Sequence, residues 1–179
     1  MIRGLASGFA VAPLVKQIEE NPQVWNTHRM RTELYGTPHN GVSDIWIRYN
    51  DWRNFTGDIA EFNGPHISTW YPVCDILTEA RPLVEKVVEI AGKETLGGVL
   101  ITKVPPGGSV KPHIDQGWHA GHYEKFAVQL KGNKEQAFCF GDSSLSPLPG
   151  DIYTFDNSKL HWVTNDSDED RMTMIVCLR

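Results

Sequence analysis

The pattern of apolar and polar positions changes character near Gly97-Gly98. Before it the pattern is mixed. Residues 13–20 predict a short helix that stops near Asn21-Pro22, because proline cannot continue a helical ladder. Residues 43–49 predict a strand, with Ile45 and Ile47 alternating against Trp46 and Arg48. The clearest helix is predicted over 82–91. Leu83, Val87, Ile90 and Ala91 share one face, Pro82 suits the first turn, and Gly92 suits the stop. After Gly97-Gly98 short β-branched or alternating runs follow one another at 99–104, 125–130, 136–140, 152–155, 161–164 and 173–178. Phe126, Val128 and Leu130 lie on one side of theirs. Turn signals separate the runs at Pro106-Gly107, Gly141-Asp142 and Pro149-Gly150-Asp151. Many short strands at this spacing point to an antiparallel sandwich or barrel. The expected architecture is one domain over residues 1–179, mostly β with an N-terminal α layer. Residues 96–179 would form a double-stranded β-helix (a cupin-like jelly roll), and residues 1–95 a helical part covering one sheet.

Composition narrows the class. At 179 residues the chain matches one domain. Apolar content of 40%, charged content of 22% and a net charge of −5 describe a soluble globular chain. The totals lack the basic surface of a nonspecific nucleic-acid binder, which disfavours that partner without excluding a local basic groove. No run is apolar for long enough to span a bilayer, so no membrane partner is expected. The first residues lack the long apolar segment of a secretory signal. Cys74, Cys139 and Cys177 form no C-x-x-C pair, which fits reduced thiols and a cytoplasmic location, in a bacterium or an infected host cell.

The candidate chemistry sits in four spaced residues: His113, Asp115, His161 and Arg171. On an extended strand, residues i and i+2 project to one face, so one metal can take both His113 and Asp115. His161 would arrive from a distant strand. Two imidazoles and one carboxylate leave positions open on the metal, which suits a non-haem Fe(II) that must also bind a cosubstrate and O₂. H-x-D is common by chance; a β-rich context, the second histidine and the arginine raise its weight. Arg171 and Thr173 again share a strand face. A guanidinium with a neighbouring hydroxyl suits a carboxylate, such as the distal one of 2-oxoglutarate. The competing reading pairs Arg171 with the acidic run at 166–170.

Other residues have two readings each. Trp118, His119 and His122 could form a substrate-contacting loop or a packed turn. Trp46, Trp52, Trp70 and Tyr71 could stack on substrate, but such aromatics more often cover sheets. Arg29, Arg31 and Arg48 could clamp an anion, against the plainer expectation of exposed salt bridges. Cys139 and Cys177 read as small apolar packing residues.

The stretch Thr102-Lys-Val-Pro-Pro-Gly-Gly-Ser-Val-Lys-Pro-His113-Ile-Asp115, with Phe155-Asp-Asn-Ser-Lys-Leu-His161 and Arg171-Met-Thr-Met-Ile, resembles the aspartyl/asparaginyl β-hydroxylase-like branch of the Fe(II)/2-oxoglutarate-dependent oxygenases. The compact size is similar to that of small stand-alone members in phage and bacteria. The resemblance implies that His113, Asp115 and His161 bind iron and that Arg171 holds 2-oxoglutarate. It implies the same role for Thr102, at the position of a family serine. Lys125 and Ala127 stand where the family has an arginine and a histidine. Lys125 would keep the charge without the bidentate geometry, and Ala127 cannot replace the histidine. The animal aspartyl hydroxylases have glycine in place of Asp115, so their substrate does not transfer directly.

The leading expectation is therefore a hydroxylase that consumes 2-oxoglutarate and O₂, releases succinate and CO₂, and acts on a protein or peptide side chain or a free amino acid. No catalytic residue is expected beyond the metal ligands. The alternatives are a cupin-like metalloprotein that does not use 2-oxoglutarate, and a non-enzymatic jelly roll stabilised by a metal.

Overall fold

The alternating runs become strands of two facing antiparallel sheets. A computed structural model describes residues 1–33 and 36–179. In chain order its elements are β1 (Ile2–Ala6), α1 (Ala12–Glu20), α2 (Met30–Glu33), β2 (Ser43–Tyr49), α3 (Ile59–Phe62), β3 (Thr69–Trp70), α4 (Ala80–Ala91), β4 (Leu96–Val104), β5 (Ser109–His113), α5 (Trp118–His122), β6 (Glu124–Lys131), β7 (Gln136–Phe140), β8 (Ser143–Leu145), β9 (Ile152–Phe155), β10 (His161–Asn165) and β11 (Arg171–Leu178). The larger sheet runs β1-β9-β6-β11-β4-β2-β3 and the smaller β5-β10-β7-β8. This is the expected mostly-β jelly-roll architecture with helices on one side.

Strand periodicity gives the larger sheet two different faces. Met172, Met174, Val176 and Leu178 of β11 join Phe126, Val128 and Leu130 of β6 in one core. Leu14 and Ile18 of α1 and Leu83, Val84 and Val87 of α4 close that core from outside. Each such side chain contributes about 1.5–3 kcal/mol by leaving water. The opposite face carries Ala127, Tyr153 and Phe155 against Val110, Phe138 and Val163 of the smaller sheet. Arg171 and Thr173 share this inner face. A one-residue slip of β11 would drive the arginine under the helices, so the outer core enforces the register that builds the site.

Helix α4 begins at Ala80, slightly before the expected start, and Gly92 ends it at φ 61°. That left-handed cap is available to glycine without a Cβ penalty. Three expectations need correction. Residues 1–95 do not only cover a sheet: β1, β2 and β3 extend the larger one. Strand β11 begins at Arg171 rather than 173. And Asp115 does not share a strand with His113, because β5 ends at the histidine. The Asp115 backbone N–H instead donates to the Asn157 carbonyl at 3.1 Å, a tie across to the turn before β10. Among the described residues no helix is long and apolar enough to cross a membrane.

Candidate active site

His113 and His161 are direct partners across the β5–β10 ladder. Their rings lie 4.3 Å apart between centroids. Each imidazole is oriented in the same way. Nδ1–H of His113 donates to the Lys111 carbonyl at 2.7 Å, and Nδ1–H of His161 donates to the Lys159 carbonyl at 2.9 Å. Both Nε2 atoms are thereby left as acceptors facing Asp115, at 3.5 Å from Oδ1 and 4.0 Å from Oδ2 respectively. Ligand-capable atoms of the three residues all lie within 4.8 Å of one another. Fixing the tautomer through a second hydrogen bond is how proteins prepare imidazole for a metal. Burial would raise the Asp115 carboxyl, but the Lys125 ammonium beside it overcomes that and holds it well below the usual carboxylate range. Burial also lowers His161, which keeps its ring neutral.

Lys125 Nζ lies 2.6 Å from Asp115 Oδ2. The contact is an ion pair without hydrogen-bond alignment, since Oδ2 otherwise has no hydrogen-bond partner. Deeper in the barrel Arg171 is 3% exposed and meets no carboxylate among the described residues. The acidic run does not neutralise it; Asp170 sits 3.8 Å from Lys103 instead. Arg171 donates from Nη1 to Thr173 Oγ1 at 2.6 Å, and from Nη2 to Gln129 Oε1 at 3.1 Å and Tyr153 Oη at 3.2 Å. Its Nε has no partner.

Thr102 lies across the ladder from Thr173. Its hydroxyl donates to Asp44 Oδ1 at 2.9 Å, and Arg31 Nη1 reaches it at 3.3 Å. Asp44 is fully buried and pairs with Arg31 at 2.6 Å. Arg31 Nη2 also donates to His39 Nδ1 at 3.0 Å, and the His39 ring packs edge-on against His113 at 4.9 Å. Burial, with Arg31 beside it, pushes His39 far below the usual histidine range.

All seven residues predicted to bind metal or cosubstrate line one inner cavity of about 100 Å³: His113, Asp115, His161, Arg171, Thr102, Thr173 and Lys125. A second cavity of about 300 Å³ adjoins it, and Arg31, Asp115, Lys125 and Ile175 line both. Of the three predicted substrate residues, only His119 lines this outer cavity. Trp118 and His122 belong to the same short helix and stack on each other at 4.6 Å. Trp46 and Tyr71 are buried as sheet-covering aromatics, whereas Trp52 is half exposed. Arg29 makes the expected exposed salt bridge with Glu33, but Arg31 does not. Gln129 and Tyr153 were missed in the sequence. Strand alternation carries the signal for Gln129, which has the parity of Lys125. Arg31 stands out in the sequence only as one of three arginines that could clamp an anion, and nothing local marks His39.

His119 gives the site a pH signature. Burial, aided by Lys125, His66 and His122, pushes it down to about 3. The unfolded chain therefore takes up a proton below about pH 6.5 that the folded protein refuses. Stability should fall as pH drops from about 6.5 toward 3. In urea melts, His119→Phe should gain stability relative to the parent as pH is lowered through that window. A pH-independent difference between the two would exclude this contribution.

The site has the donor set of an open, facial metal centre with a buried cation beside it. Residues 23–179 match the family described as Aspartyl/Asparaginyl beta-hydroxylase, and the chain belongs to that family. It is thus a 2-oxoglutarate/Fe(II)-dependent oxygenase. No curated protein matches it in sequence. Among solved structures it is similar to a prolyl hydroxylase from Trichoplax adhaerens, in complex with a hypoxia inducible factor oxygen degradation domain peptide fragment: TM-score 0.61, 13% identity, covering 99% of this chain and 82% of that one. A Pseudomonas putida prolyl-4-hydroxylase gives TM-score 0.58 at 12% identity, covering 99% and 92%. A 2OG-Fe(II) oxygenase family oxidoreductase from Burkholderia pseudomallei gives 0.53 at 12% identity, covering 76% of this chain but only 65% of that one. At these identities the structures speak for the shared fold.

Proposed function

We propose that His113, Asp115 and His161 hold Fe(II), that the inner cavity takes 2-oxoglutarate with its distal carboxylate on Arg171, and that the enzyme hydroxylates an amino-acid or polypeptide side chain. The observation that carries this reading is the lone buried guanidinium of Arg171 in the same cavity as the triad. A buried cation without a counter-ion is costly, so the cavity is built for an anion. The donor set fits Fe(II): two imidazoles whose Nδ1 atoms are engaged by backbone carbonyls, leaving Nε2 toward the site, and a carboxylate held ionised. When bound, the iron with 2-oxoglutarate and O₂ supplies the oxidising chemistry that turns a substrate C–H into C–OH, with release of succinate and CO₂.

The chain's own residues bind, orient and shield. The Lys111 and Lys159 carbonyls aim the two imidazoles. Gln129 Oε1 accepts from both Arg171 and Thr173, which holds the guanidinium in the cavity. The Thr102 and Thr173 hydroxyls spend their protons on Asp44 and Gln129. Tyr153 Oη accepts from Arg171 and keeps its own proton for a carboxylate. Tyr153→Phe should therefore weaken 2-oxoglutarate binding by about 1.5–3 kcal/mol, the scale of a hydrogen bond to a charged group. A calorimetric titration of the variant checks this; an unchanged affinity would assign the hydroxyl contact to Thr102 or Thr173. Iron-dependent succinate release from 2-oxoglutarate tests the function itself, and its absence with verified iron loading and bound 2-oxoglutarate would count against it.

A further inference from the structure

The inner face of the larger sheet changes chemistry from one row of residues to the next. Paired in register across β6, β11, β4 and β2, Gln129, Thr173, Thr102 and Asp44 form a polar row. The next inward-facing row on the same four strands is Ala127, Ile175, Leu100 and Trp46, and it is apolar. Thr173 and Thr102 line the inner cavity, whereas Ile175 lines both cavities and Leu100 and Trp46 the outer one. The boundary between the two rows therefore runs where the cosubstrate cavity meets its neighbour.

The rest of the outer cavity continues the apolar row. Met30, Tyr49, Ile59, Leu100 and Ile175 line it and are only partly buried. Apolar surface left in such a cavity gains by leaving water. Gly98 makes room for this wall, since a Cβ there would lie 2.8 Å from Tyr49 Cδ2 and 3.1 Å from His119 Nε2. The cations of the cavity are engaged elsewhere. Arg31 pairs with Asp44, and Lys125 with Asp115 at the metal end. Arg48 donates to the Gly97 and Leu96 carbonyls at 3.1 and 3.4 Å and lies 5.2 Å over the Trp70 ring. The Trp46 indole nitrogen is buried, and the Tyr49 hydroxyl donates to Asn63 Oδ1 at 2.9 Å. Exposed Gln116 with half-buried Asn63 and Thr37 supplies neutral polar groups. At about 300 Å³ the cavity lies at the lower end of the range for small-molecule sites.

We propose that the outer cavity takes an uncharged, apolar side chain of an amino acid or peptide, and that this side chain, rather than an aspartyl or asparaginyl one, is the group hydroxylated. This rests on the function proposed above and narrows its substrate class. An acidic side chain would find no free cation there, and an amide would lose water against Met30, Ile59 and Leu100 without regaining its hydrogen bonds. An apolar side chain covers the exposed wall, and because Ile175 and Asp115 border both cavities its C–H bonds lie beside the triad.

The test uses protein loaded with Mn(II) and 2-oxoglutarate, so that binding is read without turnover. Leucine, asparagine and aspartate, whose side chains are nearly equal in size, are titrated calorimetrically as free amino acids and as the central residue of end-blocked tripeptides. Valine and phenylalanine extend the apolar arm. The free and blocked arms distinguish the two sources of the side chain. In at least one arm an apolar residue should bind about tenfold or more tighter than asparagine and aspartate, the scale of burying an aliphatic side chain. Met30→Gln and Leu100→Asn put a polar group of similar size into the wall from two different elements, and each should shrink that preference. Thermal melts confirm that the variants fold, and the two independent substitutions guard against one that does not. Equal or tighter binding of aspartate or asparagine, or persistence of the full preference in both folded variants, would overturn the proposal. The 2-oxoglutarate titration separates the two readings. If it succeeds while no apolar probe binds, the substrate class is wrong; if it fails in the parent protein, the underlying function is.

Discussion

His161→Ala should abolish both tight metal binding and iron-dependent succinate formation. His161 is 5% exposed, its Nδ1–H is committed to the Lys159 carbonyl, and its Nε2 faces the carboxylate of Asp115 across the strand ladder from His113. Removing it takes away one of the three protein donors whose ligand atoms lie within 4.8 Å of one another among the described residues. The alanine also leaves a gap beside Phe138 and Phe155, whose rings pack on His161 at 5.8 and 5.1 Å. Some loss of stability is therefore expected, about 1–3 kcal/mol by comparison with other large-to-small core changes. His161→Gln fills more of that space and separates the two effects. It should keep most of the stability and still lose the metal. Retained Mn(II) affinity in His161→Gln would argue that the triad is not the binding site.

Arg171→Met is the second large effect, and it should act in opposite directions with and without ligand. In the ligand-free protein the guanidinium is buried with no counter-ion and an unpartnered Nε. An apolar side chain of similar size avoids that desolvation cost, so the variant should melt higher than the parent. For a chain of this length each kcal/mol corresponds to about 2–4 °C. Adding 2-oxoglutarate with Mn(II) should then stabilise the parent and hardly affect the variant, because ligand binding to the folded state raises stability by mass action. The expected loss in 2-oxoglutarate affinity is about 2–5 kcal/mol, tens- to thousands-fold, with Mn(II) affinity retained. A variant that melts lower and binds 2-oxoglutarate normally would return Arg171 to a structural role.

The outer core was legible in the sequence because it is periodic. Phe126, Val128 and Leu130 alternate, and the same parity puts Lys125, Ala127 and Gln129 on the inner face. Helix α4 was legible through its apolar stripe and Gly92. Strand β1 was not, because Ile-Arg-Gly-Leu-Ala has no alternation and becomes a strand by pairing with β9 at the sheet edge. Strand β8 is short and polar and owes its form to β7 in the same way. The donor types of the site could be read directly. The placement of Asp115 outside the β5 ladder could not, since it depends on the contact to Asn157, remote in sequence. Arg31 shows the limit most clearly. Its helix is one turn long, with too few residues for any periodicity, and its role depends on Asp44, Thr102 and His39 meeting it in space. The plain expectation of an exposed salt bridge failed because the partner carboxylate proved to be fully buried.

The most direct test of the central claim is an anaerobic crystal structure with Mn(II) and 2-oxoglutarate, read by anomalous scattering from the metal. The account predicts one metal peak about 2.0–2.2 Å from Nε2 of His113, Nε2 of His161 and a carboxylate oxygen of Asp115. It also predicts 2-oxoglutarate in the inner cavity, its distal carboxylate on Arg171 and Tyr153. A metal bound elsewhere, or 2-oxoglutarate bound away from Arg171, would contradict it.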